Sequence, residues 1–349
     1  MLFDLVFYGL LIASTAASYW VIRSQSTKNW LFKGLKLALV LFCLSLWVWQ
    51  ALLWLVPKGT LMHEVARLPR HLWMLANADI EEGKGRERLF YGKHPRQYYD
   101  YYPAPNNSPH PEKVVFFIHG GAWTTGSPQQ HRHLSLLLQQ EGYSLIFPAY
   151  RLTPNYSYQH LQEDIDKALL HSLKMLQEQG LHDIQLLLGG VSAGGNLAAL
   201  LAYDEVRWQT LGLNRAQLLK GMFSVVGAID TEKMAQTFTL HEYTGSEEEQ
   251  SYLLANPKTW VSPADEFPFL CLHGTKDGLV DYQAAVSFCN EVKLFCPECV
   301  DFRTYEGKSH FEVGASWYYR KSDRMGQDTT IINWLAKVTQ APPPPFYGE

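Results

Sequence analysis

Residues 183–196 read DIQLLLGGVSAGGN, and four glycines there crowd one serine directly after an apolar run. The run Ile184–Leu188 has the character of a buried strand, and residues 193–206, AGGNLAALLAYDEV, have that of a helix. Glycine weakens strands and helices alike, so its concentration at the junction marks a sharp backbone turn. Gly190-Val191-Ser192-Ala193-Gly194 is G-x-S-x-G. Between a strand and a helix this pattern forces the serine into a strained conformation and lifts its hydroxyl above the sheet. Larger residues at 190 and 194 would collide with the neighbouring strand and helix, and Gly195 lets the helix pack close. By composition the five-residue pattern alone arises by chance roughly 0.1 times in a chain this long. Its placement between strand and helix carries the weight.

A serine becomes a nucleophile beside a base, and the base needs an orienting acid. After a strand–serine–helix turn the order along the chain is serine, acid, histidine. LCLHGTKDGLVD (270–281) ends a strand and offers Asp277, and YEGKSHFEV (305–313) follows the last strand and offers His310. Taken singly, Asp277 reads as a turn residue in KDG and His310 as a surface-loop histidine. In order, and at matching loops, Ser192, His310 and Asp277 read as a catalytic set. Asp281, four residues beyond Asp277, reads instead as the N-cap of the helix that follows. Backbone donors for a developing oxyanion are expected from Gly120 and Gly121 in FFIHGGAW (116–123) and from Ala193. His119 is expected to order that loop rather than to act as the base.

Working outward, strand and helix signals alternate. RERLFYG (86–92) and QYYDYYP (97–103) read as two early antiparallel strands. KVVFFIHGG, YSLIFPAYR, LKGMFSVVGAI, FPFLCLHG and CVDFRTYEG read as further strands, with amphipathic helices between them. Strands that are apolar throughout, separated by helices, predict an α/β fold with a mostly parallel central sheet covered on both faces. Functional groups of such sheets gather at the carboxyl ends of the strands. Residues 231–266 form a long connection, which reads as a lid over the serine or as a surface excursion.

The N-terminus differs in kind. Residues 5–22 and 37–56 carry no charge, and each approaches the ~20 residues with which an apolar helix crosses ~30 Å of hydrocarbon. They predict two transmembrane helices. The acidic start MLFD argues against a cleaved signal peptide at the first. The loop between them holds Arg23, Lys28, Lys33 and Lys36 and no acid. Short basic loops stay cytoplasmic, which puts both ends of the hairpin, and the catalytic domain, on the non-cytoplasmic side. Lys58, Arg67 and Arg70 reduce the contrast. Trp20, Trp30, Trp47, Trp49 and Trp54 suit interfacial or lipid-facing positions. Residues 61–77, LMHEVARLPRHLWMLAN, suit an interfacial helix that Pro69 interrupts. The division expected is a transmembrane hairpin (1–57), a membrane-proximal linker (58–84), a catalytic domain (85–340) and a Pro-rich tail (341–349).

Composition sets outer limits. The chain has 349 residues, 47% hydrophobic, and a net charge of −4. A sizeable core is available, and no nucleic-acid partner is implied. Five cysteines are too few for a disulfide scaffold. CPEC (296–299) lacks the context of a redox motif, and an outward-facing domain leaves open a disulfide among Cys289, Cys296 and Cys299. EEE (247–249) reads as solvated surface, and NYS (155–157) is a glycosylation sequon only in a secretory eukaryotic setting. No metal site and no cofactor are predicted.

The motifs HGGAW (119–123), YRLTP (150–154), GVSAGGN (190–196), HGTKDGLV (273–280) and SHF (309–311) resemble the α/β-hydrolase superfamily. Within it the likeness is to the carboxylesterase/lipase group related to hormone-sensitive lipase, and it covers about residues 85–340. HGGAW is also similar to kynurenine formamidases and to the membrane-bound isoprenylcysteine methylesterases. The resemblance implies a Ser192–Asp277–His310 triad, an oxyanion hole at the HGG glycines, no cofactor and a small-molecule ester substrate. With this N-terminus the substrate is expected to be hydrophobic and membrane lipid to be a partner. Two other readings stay open: an amidase such as a formamidase, and a binding protein that keeps the fold without catalysis. Ala122 stands where the group has a third glycine, Val191 where Asp or Glu is frequent, and TPN where APE is usual. The first departure touches acyl preference and the others touch subfamily.

Overall fold

The computed structural model describes residues 30–77, 82–245, 250–315 and 327–340. The chain divides into two compact units, Met1–Ala78 and Asp79–Glu349.

In the first unit, α1 spans Trp30–Leu55 and α2 spans Leu61–Asn77. On α1 the side chains of Leu37, Leu41, Phe42, Leu44, Trp47 and Val48 are exposed. Helix α2 runs through Pro69 without a break, against the expectation of an interruption. Its outward residues are apolar (Leu61, Met62, Val65, Leu68), whereas His63, Glu64 and Ala66 are buried. Among the described residues no helix is long and apolar enough to cross a membrane. The span expected over 37–56 is therefore unconfirmed by the structure, and the one expected over 5–22, EEE (247–249) and the tail 341–349 lie outside the described residues.

The second unit is built on one eight-stranded sheet. Its strands are β1 (Glu87–Phe90), β2 (Tyr98–Tyr102), β3 (Lys113–Ile118), β4 (Ser144–Pro148), β5 (Gln185–Val191), β6 (Leu219–Val225), β7 (Phe269–Gly274) and β8 (Val300–Tyr305). The spatial order is β1-β2-β4-β3-β5-β6-β7-β8. Strand β2 runs antiparallel to β1 and β4, and every other pairing is parallel. The helices are α3 (Arg132–Gln140), α4 (Tyr158–Glu178), α5 (Ala193–Tyr203), α6 (Glu205–Thr210), α7 (Arg215–Leu218), α8 (Phe238–Thr244), α9 (Gln250–Leu254), α10 (Tyr282–Phe295), α11 (His310–Gly314) and α12 (Gln327–Gln340).

Strand residues alternate between the two faces, as the period of two requires. Val114, Phe116 and Ile118 join one core with Leu161, Ile165 and Leu169 of α4, Leu197 of α5 and Phe288 of α10. Val115 and Phe117 join the other with Leu134 and Leu138 of α3 and Ile331, Trp334 and Leu335 of α12. Both faces are thus covered, which is why the central strands are mostly apolar on both faces. Helix α4 shows how local sequence fixes an element. It starts behind Ser157 and ends before Gly180, whose φ of 88° suits glycine alone. Its apolar stripe Leu161, Ile165, Ala168, Leu169 and Leu176 has helical spacing and is buried.

Candidate active site

Ser192 sits between β5 and α5 with φ 55° and ψ −123°, a conformation costing a non-glycine residue about 1–3 kcal/mol. The turn is held from both sides. The Ser192 N–H donates to the Val225 carbonyl of β6 at 2.9 Å, and the Ser192 carbonyl accepts from the Ala228 N–H at 3.2 Å. A Cβ at Gly194 would come within 2.1 Å of the Ile118 carbonyl oxygen of β3, so only glycine lets the helix start there. At Gly190 a Cβ would meet the Gly194 backbone at 2.2 Å. Ser192 remains half-buried and accessible.

His310 opens α11 just beyond β8, where Ser309 and Glu312 form a capping box. Its Nδ1 faces Asp277 Oδ2 at 2.7 Å, and its Nε2 faces Ser192 Oγ at 3.0 Å. A nitrogen against a carboxylate must carry the proton, so Nδ1–H donates and Nε2 is left to accept from the serine hydroxyl. The loops bearing the two residues are laced together. The Thr275 and Lys276 N–H groups donate to the Tyr305 and Lys308 carbonyls at 3.1 and 2.9 Å.

Asp277 is buried, and its other oxygen, Oδ1, accepts the N–H groups of Leu279 and Val280 at 2.9 and 2.8 Å. Burial alone would raise its pKa. The charge of His310 and hydrogen bonds from His273 and His310 outweigh that and hold the carboxyl well below its usual range. Asp281 accepts the Gln283 N–H at 2.8 Å and caps α10. Asp277 thus meets His310, and Asp281 meets the first turn of α10.

The HGGAW loop lies against the serine. A Cβ at Gly120 would meet the Val191 carbonyl at 2.8 Å and Ser192 Cβ at 3.1 Å. Ala122 and Trp123 have positive φ, 50° and 59°, so the loop is wound tightly. Ala193 is the first residue of α5, whose N–H has no acceptor within the helix. His119 orders the loop: its Nδ1–H donates to the Gly120 carbonyl at 2.7 Å, and its own carbonyl accepts from the Tyr150 hydroxyl at 2.9 Å. Burial pushes the His119 imidazole down to about 3. Arg96 braces the same loop by donating to the Tyr150 and Gly126 carbonyls at 2.7 and 2.8 Å.

Three neighbours of the site escaped sequence reasoning. Arg96 lies far away in sequence in a loop before β2. Tyr243, in the 231–266 excursion, stacks on Trp123 at 4.3 Å between ring centres and donates to Asn196 Oδ1 of α5 at 2.9 Å. His273 touches Asp277. Of the three, only His273 left a signal, a histidine in a buried strand four residues before the acid.

The cysteine question is also answered. Cys296 and Cys299 are bonded to each other, and Cys289 is free. Among the described residues no cluster of His, Cys, Asp and Glu is arranged to hold a metal.

A mostly parallel sheet with Ser192, Asp277 and His310 beyond the carboxyl ends of β5, β7 and β8 has the architecture of the α/β-hydrolase fold. Residues 100–292 match the BD-FAE family, and the chain belongs to it. A relative from Arabidopsis thaliana, named a probable isoprenylcysteine alpha-carbonyl methylesterase, is 25% identical over 65% of this chain and 51% of its own. Another from Mycobacterium tuberculosis, named the probable carboxylic ester hydrolase LipM, is 29% identical over 52% of this chain and 44% of its own. The chain spans about half the length of these curated relatives. Esterase B from Lactobacillus rhamnosis shares the fold, with a TM-score of 0.64 and 20% identity over 79% of this chain and 92% of that one.

Proposed function

We propose that this chain is a serine hydrolase cleaving carboxylic esters through Ser192, His310 and Asp277. The observation that carries the reading is the position of His310, with Ser192 Oγ at 3.0 Å on one nitrogen and Asp277 at 2.7 Å on the other. In the first step Ser192 Oγ attacks the ester carbonyl carbon as its proton passes to His310 Nε2. Asp277, kept ionised, stabilises the imidazolium. The carbonyl oxygen becomes an oxyanion facing N–H groups of Gly120, Gly121 and Ala193, each donor contributing about 3 kcal/mol. Collapse breaks the ester C–O bond, and the imidazolium protonates the departing alcohol. Water, deprotonated by His310, then cleaves the acyl-enzyme and returns the serine.

Relatives named as a methylesterase and a carboxylic ester hydrolase support an ester substrate. We read residues 1–57 as a membrane anchor and the substrate as hydrophobic. The uncharged segments 5–22 and 37–56 and the exposed leucines of α1 support this. The basic loop 23–36 supports a catalytic domain on the non-cytoplasmic side, and the Cys296–Cys299 disulfide suits an oxidising compartment. The test is a panel of p-nitrophenyl esters of increasing acyl length, with formylkynurenine included, run on the wild type and Ser192→Ala. Ester turnover that Ser192→Ala abolishes is expected. Turnover of formylkynurenine alone identifies an amidase, and turnover of nothing in the panel favours a binding protein.

A further inference from the structure

Asp277 is not held by His310 alone. His273, in β7, is fully buried four residues earlier. Its Nε2 lies 3.2 Å from Asp277 Oδ2 and 3.1 Å from the Val280 carbonyl oxygen. Both neighbours accept, so this nitrogen carries a proton and donates to them. In the neutral ring Nδ1 is then bare, and it is buried without a hydrogen-bond partner. Leaving a ring nitrogen dry is unfavourable, and an apolar side chain at this place in β7 would avoid it. Packing therefore does not account for a histidine here. The contact with the carboxylate does.

The division of labour around Asp277 points the same way. Both backbone donors, Leu279 and Val280, fall on Oδ1. Oδ2, the oxygen that holds His310, receives its second donor from His273. Other ionisable groups nearby are Tyr282 of α10, its ring centre 6.1 Å from that of His273, and Asp281, which caps that helix. Lys276 precedes Asp277, and Lys308 and Glu312, 3.9 Å apart, flank His310. None of these provides a further hydrogen bond to Oδ2 among those the structure shows.

We propose that His273 is a positioning residue for the Ser192–His310–Asp277 constellation, its Nε2–H sharing Asp277 Oδ2 with His310. It fixes the rotation of the carboxylate and draws off part of the charge that His310 feels. This inference rests on the hydrolase reading above. Without the His273 donor the full charge of Oδ2 faces His310 and stabilises its imidazolium, so the base keeps its proton to higher pH. The acid limb of kcat/KM then moves up. A packing defect alone lowers kcat without moving that limb.

The experiment uses the full chain and p-nitrophenyl butyrate, with kcat and KM measured across the range in which histidine titrates. For His273→Leu the acid limb is expected to rise by roughly 0.5–1 pH units, the scale of one hydrogen bond. The same variant is expected to lose about tenfold in kcat. His273→Gln, whose amide reaches the Nε2 position, is expected to restore the wild-type limb and most of kcat. If His273→Leu does not fold, His273→Asn replaces it, because its amide stops short of Oδ2 and is expected to move the limb as leucine does. A limb that stays at the wild-type position in the folded Leu or Asn variant overturns the inference, as does a Gln variant shifted as far as they are. Ser192→Ala in the same assay separates the two readings. Retained hydrolysis there overturns the hydrolase reading itself, whereas an inactive Ser192→Ala with an unmoved limb overturns only the role of His273.

Discussion

Asp277 and Asp281 lie four residues apart in one loop and differ in what their oxygens meet. Asp277 faces a histidine that faces the serine, and Asp281 faces the first turn of α10. Asp277→Asn should keep the fold and lower turnover by about 10⁴, as an amide in that place favours the wrong imidazole tautomer. Asp281→Ala should cost about 1 kcal/mol of stability and leave turnover within a few-fold. Turnover and melting temperature of both variants decide it, and an inactive Asp281→Ala beside an active Asp277→Asn reverses the assignment. Ser192, Asp277 and His310 were legible because each stands at a strand end beside residues with turn chemistry. Arg96 was not, since it lies distant in sequence from its partners, two of them backbone carbonyls that any sequence supplies and the third His119 Nε2. His273 gave its type and spacing, but a strand histidine is read as core until its neighbour is known.

At the scale of elements, the excursion 231–266 is fastened to the site on the side of Trp123. Tyr243 of α8 stacks on Trp123 and donates to Asn196 of the helix that follows the serine. Tyr243→Phe keeps the ring and loses two buried hydrogen bonds, the one donated to Asn196 and the one accepted from Gln162, so it should cost about 1–3 kcal/mol with turnover nearly unchanged. Tyr243→Ala removes the ring on which Trp123 rests. It should cost about 3–5 kcal/mol and lower turnover as well, because the positive-φ backbone of the HGGAW loop loses its support. Denaturant midpoints and kcat for the two variants test this, and equal loss of turnover in both would assign the effect to the hydroxyl. The strands and the helix after the serine were legible from the sequence, and that helix, read over 193–206, spans Ala193–Tyr203. The excursion carries no long periodic stretch. Its structure comes from Thr237 and Asn256 capping short turns and from contacts distant in sequence. Pro69 misled for a related reason: one proline costs a helix, but the surrounding turns of α2 continue past it.

The whole molecule is expected to respond to pH through two histidines in its core. Burial pushes both His119 and His131 down to about 3. The unfolded chain takes up their protons near pH ~6.5 and the folded chain does not. Stability is therefore full above ~6.5 and falls as pH drops toward ~3, by ~1.4 kcal/mol per pH unit for each histidine. His131→Phe should remove one of these contributions, so that urea midpoints fall less steeply with acid than in the wild type. Identical slopes would contradict the buried neutral assignment. For the anchor, the intact chain should stay with membranes through a carbonate wash, while a chain lacking 1–57 should leave them and still cleave small esters. Full-length protein in the wash contradicts the anchor. Protease added to sealed spheroplasts should cut the catalytic unit, and complete protection would reverse the side. The central claim is that Ser192 is the nucleophile. Its most direct measurement is labelling the full chain with a fluorophosphonate and locating the adduct by peptide mass spectrometry. The account predicts one adduct, on Ser192, absent in Ser192→Ala and nearly absent in His310→Ala. An adduct on another serine, or labelling of Ser192→Ala at the wild-type rate, would contradict it.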